Sequence, residues 1–231
     1  MLPVAILAGG LATRLHPFTL NIPKSLIKVA GKPFIFYQLK NLRKQGIKKI
    51  VLCTGHLGEM IKSYVGDGSK FDLEVLYSTD GNKLLGTGGA IKKALPLLDD
   101  NFFVLYGDTF LPIDFYDVEK AFLSCKQLSL MTILKNKGKW DKSNVFLKKN
   151  LLIEYNKRNP TAKMEYIDYG LSILSANIFK RYSNKKKFDL SSIFEELSAK
   201  NQIKGFEVAE RFYEIGTHNS IKETEKYFKK F

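Results

Sequence analysis

Five short apolar runs, PVAILAG, KKIVLCT, LEVLYST, NFFVLYGD and LSLMTIL, dominate the pattern, each bounded by Gly, Asp, Lys or Ser. Runs so short and so nearly unbroken read as strands covered on both faces. Between them lie the amphipathic stretches PFIFYQLKNLRKQG, HLGEMIKSYVG, TGGAIKKALPLL and DFYDVEKAFLSC. In the first of these Phe36, Leu39 and Leu42 recur at helical spacing, and Gly46 stands where a C-terminal cap belongs. Strand and helix thus alternate through the first half. Such alternation predicts a parallel, doubly wound sheet with helices on both faces and ligands at the carboxyl ends of the strands.

From about residue 140 the pattern changes. NVFLK, LLIEYNK and YIDYGLSILSA read as closely spaced strands with KKNL as a turn, followed by short helices around IFKRY and DLSSIFEELSAK, then a strand and helix at RFYEIG and NSIKETEKYF. No Gly-, Ser- or Pro-rich linker, low-complexity segment or internal repeat divides the chain. The expected fold is therefore α/β: a Rossmann-like three-layer α/β/α arrangement with a mixed, mostly parallel sheet and a β-rich elaboration in the second half. The 231 residues read as a single domain with an N-terminal segment, 1–140, and a C-terminal segment, 141–231, and 45% hydrophobic content suffices for a large core.

A net charge of +14 raises the question of nucleic acid or anionic lipid. The lysines are dispersed, however, and neither the KKK run at 185 to 187 nor the KK pair near the C-terminus alternates with aromatics as a base-stacking surface does. No nucleic-acid or membrane partner is expected; the field suits small anions such as nucleotides and sugar phosphates. No signal peptide or membrane span is read, so the expected location is the cytoplasm. Cys53 and Cys125 are too few for a disulfide framework or a zinc site and read as buried free thiols.

The stretch LAGGLATRLHPFTLNIPK, residues 7 to 24, carries the chemistry. A strand running into AGGLATRL presents consecutive backbone N–H groups with little side-chain bulk, a concave cradle for a phosphate chain, and Arg14 and Lys24 supply matching charge. The spacing fits neither the dinucleotide-binding glycine pattern nor the Walker pattern. Taken in order, Gly9, Gly10, Thr13, Arg14, Pro17, Thr19, Pro23 and Lys24 resemble the opening signature of the sugar-1-phosphate nucleotidylyltransferases, also called NDP-sugar pyrophosphorylases. LLGTGGAIKKAL resembles that family's second nucleotide-contacting stretch, and NFFVLYGD the strand whose terminal aspartate holds the catalytic metal. YNKRNP matches loosely the station of the sugar-phosphate lysine, DYGLSIL that of the sugar-binding glycine, and FYEIGT that of the second metal ligand.

The resemblance implies nucleotide contacts from Leu7, Ala8, Gly9, Gly10, Thr13, Gly86, Thr87 and Gly88, and catalytic roles for Arg14, Lys24 and Asp108. It implies sugar-phosphate contacts from Lys157 and Gly170, and Mg²⁺ as cofactor on Asp108 and Glu214. On this reading residues 1–140 bind the nucleotide and residues 141–231 the sugar phosphate. Alternatives stay open at several positions. Arg14 and Lys24 also read as ordinary surface cations, Gly86 to Gly88 as plain helix entry, and Asp108 as a turn or capping residue. Ala12 stands where the family has glycine, so either its φ is negative or the loop is slightly displaced, and a left-handed alanine, at about 1–2 kcal/mol, would not abolish binding. Glu214 stands where the family has aspartate, so it reaches the metal directly or through a water. Arg158 competes with Lys157, and His56 reads as a helix-entry residue rather than a catalyst.

The implied reaction needs no covalent intermediate and no general base, because a sugar 1-phosphate already carries an ionised oxygen. It joins a nucleoside triphosphate, GTP favoured, to a sugar 1-phosphate, giving an NDP-sugar and pyrophosphate. Chain length and LLGTGGAI are similar to the heptose- and mannose-1-phosphate guanylyltransferases, which implies GDP-heptose or GDP-mannose for cell-surface glycans. N-acetylmuramate-1-phosphate uridylyl transfer, phosphocholine-type cytidylyl transfer and a non-catalytic nucleotide-binding module are the alternatives. A homo-oligomer is a further expected partner state.

Overall fold

The computed structural model describes every residue except His16, Phe18, Asn82, Asp141 and Phe231; Asp141, the first residue of the expected C-terminal segment, thus lies outside the described residues. The strands are β1 (Val4–Ala8), β2 (Lys28–Val29), β3 (Lys32–Pro33), β4 (Lys49–Thr54), β5 (Glu74–Thr79), β6 (Asn101–Tyr106), β7 (Thr109–Phe110), β8 (Ser129–Lys135), β9 (Val145–Lys148), β10 (Leu151–Tyr155), β11 (Tyr166–Ser175), β12 (Ile203–Val208) and β13 (Tyr213–Glu214). The α-helices are α1 (Phe34–Lys44), α2 (Gly58–Val65), α3 (Gly86–Ala94), α4 (Phe115–Leu123), α5 (Leu190–Ala199) and α6 (His218–Phe228).

The main sheet runs β5-β4-β1-β6-β11-β8-β12-β10-β9, with small two-stranded ladders β7/β13 and β2/β3 beside it. Because side chains alternate across a strand, neighbouring residues of β1 enter different cores. Val4 and Ile6 join Leu39 of α1, Ile61 of α2 and Val118 of α4. Ala5 joins Ile91 of α3 and Phe194 of α5 on the other side. Four of the five apolar runs are therefore continuous because both faces are covered, whereas β5, at the sheet edge, is only partly covered.

The expected parallel sheet holds for β5, β4, β1 and β6. Beyond them β11 is antiparallel to β6 and β8, and β10 is antiparallel to β12 and β9, while β12 and β8 are parallel. The sheet is mixed, and "mostly parallel" describes its first half alone. One of these antiparallel pairs, β9 with β10, is a hairpin, in which a short connection returns the strand beside its predecessor. In the turn read from KKNL, Lys149 and Asn150 both take positive φ, +49° and +61°, the backbone of a tight two-residue hairpin.

Helix α1 ends as the sequence reading has it. Gly46 adopts φ +85°, its N–H donates to the Arg43 carbonyl and the Ile47 N–H to the Leu42 carbonyl, a stop sealed by buried Ile47. Phe36 is half-buried; Phe34, Ile35, Gln38, Leu39 and Leu42 form the buried face. Strand β12 was not expected. Gly205 breaks its apolar alternation, and a Cβ there would lie 2.3 Å from Leu147 Cδ1, so packing against β9 excludes the side chain that would have revealed it. Cys53 is a buried free thiol as expected, whereas Cys125 is half-buried. Among the described residues no helix is long and apolar enough to cross a membrane.

Candidate active site

The carboxyl ends of β1, β4 and β6 and the N-terminus of α3 surround a cavity of about 290 Å³. Leu7, Ala8, Gly9, Gly10 and Ala12 form one wall, Gly86 and Thr87 another, and Asp108 and Lys24 the polar corner. Thr13, Gly88, Arg14, Lys157, Gly170 and Glu214 do not line it.

Lys24 lies in the short 3-10 turn Lys24–Leu26, introduced by Pro23. Its Nζ stands 2.5 Å from Asp108 Oδ2, while Asp108 Oδ1 accepts from the Thr109 hydroxyl at 3.1 Å. The two residues read as phosphate cation and acidic ligand are thus a half-buried ion pair at the cavity mouth. The β7/β13 ladder pairs Thr109 with Glu214, and the Ile215 N–H donates to the Asp108 carbonyl at 3.0 Å. Glu214 is thereby carried to Asp108 from the far end of the chain. Burial raises its carboxyl above the usual range, Asp108's charge adds to the rise, and Lys24 and Arg14 oppose it. Arg14, exposed in the turn Thr13–Leu15, is therefore close enough to act on Glu214 electrostatically.

Ala12 settles the open question about its own backbone. Its φ is +50°, so alanine itself occupies the left-handed region, at a cost of about 1–2 kcal/mol. The Ala12 carbonyl accepts from the Thr19 hydroxyl at 2.9 Å and the Leu15 N–H at 3.1 Å. Those two bonds hold the strained residue in place. Neither a negative φ nor the escape from strain it offered is observed.

The start of α3 divides between two tasks. Gly86, at φ +72°, and Thr87 line the cavity. Gly88 faces away: its N–H donates to the Phe188 carbonyl at 2.9 Å, and a Cβ on it would meet the Phe188 ring at 2.4 Å. Leu190 N–H donates to Thr87 Oγ1 at 2.8 Å, so this helix entry is built against α5 as well as into the cavity.

Lys157 and Arg158 are exposed, and the Lys157 charge reaches Asp168, opposing the rise that burial gives that carboxyl. Gly170 (φ +106°) donates its N–H to Asp168 Oδ1 at 3.0 Å, and a Cβ on it would meet Thr109 Cγ2 at 3.5 Å and Tyr106 Cδ2 at 3.7 Å. Gly170 therefore lies beside Tyr106 of the cavity wall, while Lys157 is linked to it through Asp168. His56 is exposed in the turn before α2 and does not line the cavity.

Sequence reasoning passed over Asp80, Tyr106, Asp189, Ser25 and the cavity role of Cys53. Asp80 had a usable signal, a carboxylate just past a strand like Asp108. Its Oδ2 accepts the Leu85 N–H at 3.0 Å, and burial raises its carboxyl. Burial and the Asp80 charge push the Cys53 thiol up to about 12, so Cys53 is an inert part of the wall. Among the described residues no group of three or more His, Cys, Asp or Glu side chains is placed to hold a metal. Asp108 with Glu214 is the pair that could contribute to one, phosphate oxygens supplying the remaining ligands.

The chain is 30% identical over 213 residues, 91% of its own length and 93% of the relative's, to D-glycero-alpha-D-manno-heptose 1-phosphate guanylyltransferase of Campylobacter jejuni subsp. jejuni serotype O:2. It is 29% identical over 223 residues to the protein of the same name from Aneurinibacillus thermoaerophilus, covering 96% of both. HddC from Yersinia pseudotuberculosis, in its crystal structure complexed with GMP-PN, superposes with a TM-score of 0.81 at 26% identity, over 99% of this chain and 100% of that one. Residues 4–143 match the family described as nucleotidyl transferase; by that match and these likenesses along its whole length the chain belongs to that family, among the sugar-1-phosphate nucleotidylyltransferases.

Proposed function

We propose that this protein transfers a nucleotidyl group from a nucleoside triphosphate, GTP favoured, to a sugar 1-phosphate of the heptose or mannose kind, yielding an NDP-sugar and pyrophosphate. The observation that carries the reading is the Lys24–Asp108 pair with Glu214 beside it, set at the mouth of a cavity walled by Gly9 and Gly10. Guanine is favoured by Asp80. A carboxylate in the cavity wall can accept from the adjacent N1–H and N2–H of guanine together, a two-point contact other bases do not offer.

An ionised oxygen of the sugar 1-phosphate attacks the α-phosphorus in line, and the bond to the bridging oxygen breaks as pyrophosphate departs. The backbone amides of Gly9 and Gly10 orient the triphosphate, and Arg14 and Lys24 meet charge that builds on its oxygens. Asp108, with Glu214, would hold Mg²⁺, which supplies charge neutralisation when bound. Lys157, or Arg158 beside it, and Gly170 serve the sugar phosphate. The two cores on opposite sheet faces support a Rossmann-like three-layer arrangement working as one domain, its first 140 residues toward the nucleotide and the rest toward the sugar phosphate. Asp189 and Glu214 reach the site from the C-terminal segment. A cytoplasmic location and self-association complete the proposal.

The test is a pyrophosphate-release screen of four nucleoside triphosphates against heptose, mannose, glucose and N-acetylmuramate 1-phosphates, with choline phosphate included. Fastest release from GTP with a heptose or mannose 1-phosphate is expected. Release with choline phosphate alone would replace the sugar reading.

A further inference from the structure

Ser25 follows Lys24 in the 3-10 turn and lines the cavity. It is 4% exposed, and its Oγ, shielded from solvent, has no hydrogen-bond partner among the described residues. A buried hydroxyl left unpaired costs about 1–3 kcal/mol, a cost alanine would avoid at nearly the same volume. Gln38 Oε1 and Tyr169 OH are also unpaired, but neither residue lines the cavity. Gln38 has a structural task besides, its amide nitrogen donating to the Tyr106 and Thr109 carbonyls at 2.9 and 2.7 Å. Ser25 has no such task, and it stands one residue from the ammonium that pairs with Asp108.

We infer that Ser25 is a substrate-binding residue whose hydroxyl donates a hydrogen bond to a phosphoryl oxygen of the bound nucleoside triphosphate, an inference that rests on the nucleotidyl-transfer reading above. A step between staggered χ1 wells turns Oγ from the shielded wall to the cavity its own residue lines. An anionic phosphate oxygen there gives a charge-assisted bond, stronger than a neutral one. The unpaired state then belongs to the chain before nucleotide arrives, and binding relieves it.

The experiment compares the parent with Ser25→Ala and Ser25→Thr, each measured for melting temperature with and without GTP and for pyrophosphate release. Ser25→Ala is expected to melt without GTP at or above the parent's temperature, because an unpaired group has been removed. Its GTP-induced rise in melting temperature should shrink and its KM for GTP should rise about tenfold or more, the usual worth of a hydrogen bond to a charged group. Ser25→Thr, which keeps the hydroxyl, should recover most of both. A KM within twofold of the parent overturns the inference, and so does a nucleotide-free Ser25→Ala that melts several degrees lower, since the hydroxyl would then be paired within the fold. A parent that melts higher with GTP but releases no pyrophosphate defeats the transfer reading and leaves the Ser25 contact to be judged by the melting shift. A parent with neither response overturns both.

Discussion

Lys24 Nζ stands 2.5 Å from Asp108 Oδ2 across 84 positions of sequence. The ammonium and the carboxylate hold each other at the cavity mouth, so changing either alters the charge that a phosphate meets there. Asp108→Asn keeps the shape and removes the charge, and is expected to fold normally and lose most turnover. Lys24→Ala should lower kcat/KM by about tenfold or more, as expected for loss of a charge-assisted contact worth about 1.5–3 kcal/mol. Steady-state rates at several Mg²⁺ concentrations check both; near-parental rates for Asp108→Asn at limiting Mg²⁺ would remove the metal-ligand assignment.

Glu214 separates two modes of metal holding. If the carboxylate ligates directly, Glu214→Asp withdraws it by one methylene and Glu214→Gln removes its charge, and both should lose activity with a weakened Mg²⁺ titration. Direct ligation is the expected result. An active aspartate variant would point to a bridging water, and an unchanged Mg²⁺ titration in the glutamine variant would return Glu214 to the fold.

Ala12→Gly should stabilise the protein. Relief of a left-handed alanine at about 1–2 kcal/mol, less the roughly 0.5–1 kcal/mol of extra chain entropy that glycine loses, leaves a gain of up to about 1.5 kcal/mol. A chain of this size should melt higher, by up to about 6 °C. A lower melting temperature would show that the φ of +50° is not strained here.

Asp168 gives a pH signature. Burial raises its carboxyl above the usual 3.8, with the Gly170 N–H and the Lys157 charge acting the other way. A folded-state value above the unfolded one means that the native state holds its proton more tightly. The stability contributed by that protonated carboxyl is fully present below 3.8 and is lost as pH rises through the folded value. Asp168→Asn, which can still accept from Gly170, should therefore be more stable than the parent at neutral pH, and the difference should close on acidification below about pH 4. Denaturant midpoints of both proteins across about pH 3 to 8 read the effect; a gap independent of pH would contradict it.

Asp80→Asn tests the nucleotide. A two-point contact is worth about 1–3 kcal/mol of discrimination, so the ratio of kcat/KM for GTP over other triphosphates should fall about 5- to 150-fold. An unaltered ratio would move guanine recognition elsewhere.

Much of the cavity lining was legible from ordered traces along the chain, Gly9 and Gly10 after a strand, Lys24 after Pro23 and Asp108 after Gly107, which the fold brings together. The first-half fold was legible too, since strands covered on both faces advertise themselves as unbroken apolar runs. What escaped had no such trace. Strand β12 hides behind Gly205, whose missing side chain matters only because Leu147 lies against it. Ser25 is an ordinary serine until its burial and lack of partner are seen. Asp189 lies 102 residues from Thr87, its contact across the cavity, a distance that only the packing of α5 on α3 closes. The backbone of Ala12 stayed open because strain is a property of conformation, which residue type does not report.

The β7/β13 ladder also gives this enzyme an order of assembly on the ribosome. Chain emerging N-terminus first carries Gly9, Lys24 and Asp108 early, while Glu214 reaches Thr109 only through a strand near the other end. At synthesis rates of about 5–20 residues per second, the roughly 100 residues between the two carboxylates take about 5–20 s to appear. A nascent chain that has not yet passed Glu214 thus holds one acid of the pair without the other.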